Sequence, residues 1–249
     1  MTYDYCKQDV RAEFAIDLAL PDLSPSEQEL WVLDQIINDR GIYIDLPAVI
    51  RAVDLVELAK KKNNEELKRI TEGAVSKCSE IESIRTWING RGIPSETFTK
   101  DDHEGILLAA RAKGDFTACR VVALRQQSSK TSTSKFTRML ECVGDDNRVR
   151  GTLAYHGAAT GRWAGRLIQI QNLPRVDHEK EGGLIEYITA ALHNDSYTTK
   201  SRYDVIDMAT DDGVMASLMK FIRGSIRSAP GYKLVGGDFA NIEGRVNAW

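Results

Sequence analysis

From Ala48 to Glu72 the sequence contains neither glycine nor proline, and Pro47 stands just ahead, where a helix's first turn tolerates a missing N–H. So long a run predicts a helix, and with it a chain built around helices more than around a large sheet. Its apolar positions, Ile50, Val53, Leu58 and Leu67, make a narrow stripe. A stripe of that width predicts an arm packed against one other helix. A second long helix is predicted from about Asp102 through the segment ending "VVALRQQSS", antiparallel to the first. The two would form a projection with a small tip, the tip being short helices around the break "NGRGIPS" at 89–95.

Elsewhere the elements are shorter. Two helices are predicted before residue 40, parted by the Pro21 to Pro25 break, with Ser24 or Ser26 as N-cap. A Gly41 turn and a short strand-like run lead into the long helix, and another turn is expected at Gly144 to Asn147. The segment after it alternates like a strand and then becomes a loop, while residues 182–194 and 211–223 read as helices joined by a polar connector. The fold class expected is α+β, mostly helical.

With 249 residues, 42% of them hydrophobic, the chain can bury a core of its own. No run of 18 apolar residues occurs, and the first ten residues carry two aspartates in place of a basic leader, which predicts no membrane span, no signal peptide and a cytoplasmic address. Cys6, Cys78, Cys119 and Cys142 show no metal-binding spacing and read as reduced structural thiols. His103, His156, His178 and His193 need no function, although His156 lies beside a basic loop that begins at Thr160.

The net charge of −3 conceals an asymmetry. Residues 1–110 hold 13 Lys and Arg against 21 Asp and Glu; residues 111–175 hold 12 against 4; residues 176–249 hold 8 against 11. A basic block inside an acidic chain suits a polyanion, because neutralised phosphates release condensed counterions; a solvated basic surface would look the same. Within the block, "TGRWAGRLIQIQNLPR" carries Arg162, Arg166 and Arg175, and no acidic residue falls between Gly151 and Arg175. Gly161 and Gly165 allow close backbone approach, and Arg162 offers a forked donor. Gln171 and Asn172 can either read minor-groove acceptors or satisfy backbone in an irregular segment. Lys130, Lys135 and Arg138 sit among hydroxyl residues, the side-chain types that hold a nucleic-acid backbone without reading sequence.

The string "HGAATGRWAGRLIQIQNLPR", followed about sixty residues on by "GDFANIEGRV", closely resembles family A DNA polymerases of the bacterial DNA polymerase I type, particularly their bacteriophage members. "YCKQD", with Tyr5 and Asp9, matches the Y-x-x-x-D element that closes the proofreading exonuclease of that family. The resemblance implies a helical thumb arm and the first part of an antiparallel-sheet palm. Its domains would be the C-terminal end of the exonuclease at 1–23, a connection and palm start at 24–46, the thumb at 47–140, and a partial palm at 141–249 ending after motif A.

Residue by residue, the resemblance implies that Asp238 ligates two catalytic Mg2+ ions, with the main-chain carbonyl of Phe239 as a further ligand. Glu243 would block a ribose 2′ hydroxyl and so select deoxynucleotides. Arg162 would contact the primer terminus through the minor groove, with Thr160, Arg166, Gln171 and Asn172 in its neighbourhood. Arg245 closes the motif, and Arg223 precedes it with no role assigned. Ala240, Asn241 and Gly244 depart from the family pattern without removing a ligand, while Gly236 and Gly237 are unusual for the central strand expected to carry Asp238.

The implied partners are primer-template DNA and deoxynucleoside triphosphates. The family's second palm carboxylate and its nucleotide-gripping helix lie downstream of motif A and are expected in sequence beyond this chain, as are the upstream exonuclease carboxylates. For the chain alone three alternatives stand: an incomplete sequence, one half of a split polymerase completed by a second chain, or a non-catalytic DNA-binding remnant. In each case the 249 residues are expected to bind DNA but to extend it poorly.

Overall fold

The computed structural model describes residues 2–210, 212–237 and 240–248. Among them, eleven helices and two small antiparallel sheets make a mostly helical α+β fold, as expected. Helix α1 spans Thr2–Ala19 and α2 spans Pro25–Arg40, where the Ser24 hydroxyl accepts the Glu27 N–H at 3.3 Å to cap the first turn. Strand β1 (Ile42–Tyr43) follows Gly41, whose φ of +64° suits glycine alone at modest cost; a Cβ there would also lie 2.8 Å from the Val149 carbonyl oxygen.

Helix α3 (Leu46–Ile70) begins under the Asp45 carboxylate, which accepts the Ala48 N–H at 3.3 Å. The other oxygen of Asp45 lies 2.9 Å from His193 Nε2 and 3.0 Å from Arg227, tying the start of this helix to later segments. The narrow-stripe expectation is overturned. The helix buries Ala48, Val49, Ala52, Leu55, Val56, Ala59, Asn63 and Leu67, while Ile50 is exposed. Three of those positions are alanines, small enough to let several helices approach at once, so α3 is the axis of the molecule and not an arm with one partner.

Helices α4 (Ile81–Gly90), α5 (Asp102–Ala112) and α6 (Phe116–Ser128) gather round the distal half of α3 in a core of Leu67, Ile84, Ile88, Ile106, Val121, Val122 and Leu124. The single helix expected over 102–128 is therefore two. Gly114 turns the chain at φ +67°, and Asp115 caps the new helix by accepting the Ala118 N–H at 2.9 Å. Having broken, the chain folds α5 back on α6.

Helix α7 (Ser134–Cys142) leads to β2 (Arg148–Val149), which pairs with β1 in the register Ile42 to Val149 and Tyr43 to Arg148. A hairpin of β3 (Leu153–Ala154) and β4 (Ala164–Gly165) comes next. Helices α8 (His178–His193), α9 (Thr199–Met208) and α10 (Val214–Phe221) then pack with α7 on the proximal half of α3. Phe136, Met139, Ile188, Leu192, Ile206, Leu218 and Phe221 are fully buried members of that core. Helix α9 was expected as a polar connector. Its Thr198 cap accepts the Ser201 N–H, and Arg202 is buried by donating to the carbonyls of Ala191, Asn194 and Tyr197, contacts no local pattern reveals.

Residues 232–237 form no strand, against expectation: Val235 is 94% exposed, and no other strand among the described residues lies alongside to take up the backbone amides. Helix α11 (Ile242–Ala248) ends the described chain. The four cysteines are free, and no helix of the described residues is long and apolar enough to cross a membrane.

Candidate nucleic-acid interface

One face of α2, residues Glu27, Trp31, Asp34 and Asn38 at helical spacing, carries the β3–β4 hairpin. Asn38 brackets Leu153, its Oδ1 accepting the backbone N–H at 3.0 Å and its Nδ2 donating to the carbonyl at 3.1 Å. Trp163 Nε1 donates to Asp34 Oδ1 at 2.8 Å, and the Tyr155 hydroxyl donates to the Glu27 carboxylate. That bond raises the Tyr155 hydroxyl above its ordinary pKa, since the phenolate would face a carboxylate. Tyr155 and Trp163 meet edge to face at 5.3 Å. Between them the loop closes on itself, with Gly161 at φ +75° and the Ala158 N–H donating to the Arg162 carbonyl at 3.1 Å.

Beyond the hairpin, Ile168 is fully buried while its neighbours Leu167 and Gln169 hold left-handed φ values of 55° and 47°. Neither residue type favours that conformation, so the plugged Ile168 side chain must hold it. Lys135 Nζ donates to the Ile168 carbonyl at 2.9 Å, and burial pulls its pKa below the ordinary lysine value. The Gln171 amide lies across Gly165, where a Cβ would come within 2.0 Å of it, and Asn172 donates to the Gln169 side chain at 3.0 Å. Arg223 pins the end of the segment, donating from Nε to the Pro174 carbonyl at 2.7 Å and from a terminal nitrogen to that of Leu173 at 3.0 Å. Sequence reasoning left Arg223 without a role; the structure gives it this one.

The residues nominated from sequence fall into three groups. Thr160, Arg162, Arg166, Gln171 and Asn172 are exposed on one continuous loop, and Arg162 lies 3.7 Å from Glu243, eighty-one positions later in the chain. Both partners are more than three-quarters exposed, so the pair contributes little stability and marks proximity. Arg138 flanks the loop from the α7 side and pairs with Glu141 at 2.8 Å; Lys130 is half-buried just after α6 and makes no ion pair among the described residues. A groove of about 520 Å³ runs between α3, α7 and the loop, lined by Lys60, Lys135, Arg138 and Gln169 among others.

Tyr5 and Asp9 stand apart, exposed on α1, every described residue of which from Tyr3 onward is exposed. Asp238 and Phe239 lie outside the described residues. No group of three or more His, Cys, Asp or Glu forms a metal site among the described residues, and Glu243 faces an arginine instead of a second carboxylate. What sequence reasoning missed is the support: Glu27, Asp34 and Asn38 lie more than a hundred residues before the loop that they hold.

No protein-family model matches the chain, and no solved structure matches it. Over 248 residues, 98% of its length, the chain is 34% identical to the DNA polymerase of Bacillus phage SP02 and spans 36% of that protein. It is thus similar, along nearly all of its length, to about a third of a phage DNA polymerase.

Proposed function

We propose that the chain is the primer-template-holding part of a template-directed DNA polymerase of the family A type. The observation that carries this reading is the similarity to a phage DNA polymerase over 98% of the chain, in which the loop bearing Arg162 and the helix bearing Glu243 come together. On this reading residues 47–140 are the thumb, 141–249 the first part of the palm, and Tyr5 and Asp9 the edge of a proofreading domain. Arg162 reaches the primer terminus in the minor groove, where every correct pair offers acceptors. Gln171 and Asn172 sit beside it, and Thr160, Arg166, Lys130 and Arg138 hold backbone phosphates.

Glu243 excludes the ribose 2′ hydroxyl from the nucleotide site, since a carboxylate filling the space below the sugar leaves no room for it. Asp238 and the Phe239 carbonyl are the proposed magnesium ligands. Two bound ions would supply activation of the primer hydroxyl and neutralisation of the triphosphate.

Binding of end-labelled DNA to the purified chain tests the reading. A recessed 3′ end should be held tighter than a blunt duplex of the same length. Equal affinity for the two would contradict it.

A further inference from the structure

Asp34 is a costly residue for its position. It is 3% exposed, on a helix that otherwise shows most of its residues to solvent, and its carboxylate has no cationic partner among the described residues. Its contacts are all neutral donors: Trp163 Nε1 at 2.8 Å, Asn38 Nδ2 at 3.1 Å and the Gln35 amide at 3.1 Å. A buried carboxylate without a cation loses hydration that three neutral hydrogen bonds only partly replace. An apolar side chain would pack α2 on the hairpin at lower cost, so hydrophobic packing does not account for an aspartate here.

What the carboxylate does supply is direction. An indole has one N–H, and an acceptor placed to receive it sets the ring's rotation as well as its depth. Asn38, bonded to the same carboxylate, also brackets Leu153, so Asp34 and the base of the hairpin are held as one unit. Trp163 is the residue after Arg162. With the indole fixed on one side and the Ala158 N–H on the Arg162 carbonyl at 3.1 Å on the other, the backbone at Arg162 is set from both directions. Its side chain is 76% exposed, with Glu243 3.7 Å away. Ordering a long arginine on binding costs conformational entropy, and a backbone already in place removes part of that cost.

We propose that Asp34 is a positioning residue for nucleic-acid binding, acting through the Trp163 indole on Arg162. This rests on the reading of Arg162 as a primer-terminus contact. It assigns to α2, which presents no charge to the DNA on that reading, control over how well the arginine performs.

A double-mutant cycle on primer-template affinity tests it, using Asp34→Ala, Arg162→Ala and the combination, with each tryptophan replaced by 5-fluorotryptophan for fluorine NMR. Each single change should weaken binding about ten-fold, the loss of roughly one hydrogen bond's worth of affinity. The double variant should bind no more weakly than Arg162→Ala alone, because residues acting in series are not additive. The Trp163 fluorine signal should move in Asp34→Ala. Trp163→Phe, which keeps a ring and removes the N–H, should reproduce the same non-additivity and covers the case in which Asp34→Ala does not fold. Additive losses, or an unchanged affinity in Asp34→Ala and Trp163→Phe, would overturn the inference while leaving the polymerase reading intact. A wild-type chain that does not bind primer-template at all would overturn the polymerase reading and this inference with it.

Discussion

Lys135 Nζ donates to the Ile168 carbonyl at 2.9 Å, so an ammonium that composition assigns to a polyanion-facing block is engaged by the backbone at the edge of the groove. It helps hold the segment in which Leu167 and Gln169 are left-handed. Lys135→Met should lower stability by about 1 kcal/mol, the worth of one hydrogen bond, and leave the salt dependence of DNA binding nearly unchanged. Lys130→Met should do the reverse. Urea unfolding and salt titration of both variants check the pair.

His103 is 5% exposed, both of its ring nitrogens lack a hydrogen-bond partner, and its ring lies 4.9 Å from that of Phe98. Burial, and then the nearby Arg125 charge, push its pKa below the ordinary histidine value. The unfolded chain takes up the proton near pH 6.5, roughly, while the folded chain resists it. Stability is therefore complete above that pH and declines as pH falls from the ordinary value toward the folded one. Wild-type protein should unfold at lower urea at about pH 5.5 than at about pH 7.5. His103→Phe should lose much of that difference.

Arg202 donates to the carbonyls of Ala191, Asn194 and Tyr197 at 2.9, 2.7 and 3.1 Å, closing the end of α8. Desolvation lowers its pKa, yet the three acceptors keep the cation in place. Arg202→Met should cost about 3 kcal/mol because it leaves those carbonyls unpaired, and Arg202→Lys should recover only part, since an ammonium lacks the planar fork. Denaturant midpoints of the two variants, measured at fixed protein concentration, decide this.

Gly114 and Gly41 separate two kinds of glycine cost. Both have positive φ, but a Cβ at Gly114 meets open space, whereas one at Gly41 runs into the Val149 carbonyl. Gly114→Ala should cost about 1 kcal/mol from backbone conformation alone. Gly41→Ala should cost clearly more, because β2 must move as well; thermal melts of the two side by side give the comparison.

The parts of the fold with local causes were legible in the sequence. Ser24 before Pro25, Pro47 in the first turn of α3 and the Gly144 to Asn147 turn mark element ends by capping, proline and turn chemistry that act within four residues. The hub role of α3 was hidden because Val49, Leu55 and Val56 widen its buried face beyond the stripe read from the sequence, and Ala48, Ala52 and Ala59 add little to an apolar pattern but admit close neighbours. The break at Gly114 was hidden because one glycine in a helical run is a weak signal until Asp115 is seen to cap α6. At the site, Arg162 was named from the composition of its loop and from motif resemblance, Glu243 from motif resemblance alone, and only the fold shows them 3.7 Å apart. The Asp34 to Trp163 contact spans 129 positions, and a single aspartate in an early helix carries no trace of it.

The central claim, that this loop is a DNA-binding surface, is tested most directly by primer-template affinity of the 249-residue chain across a range of salt concentrations. The logarithm of the affinity should fall linearly with the logarithm of the salt, and Lys130→Ala with Arg166→Ala should reduce the slope by about one for each phosphate contact removed. Absence of binding, or a slope unchanged in the double variant, would contradict it.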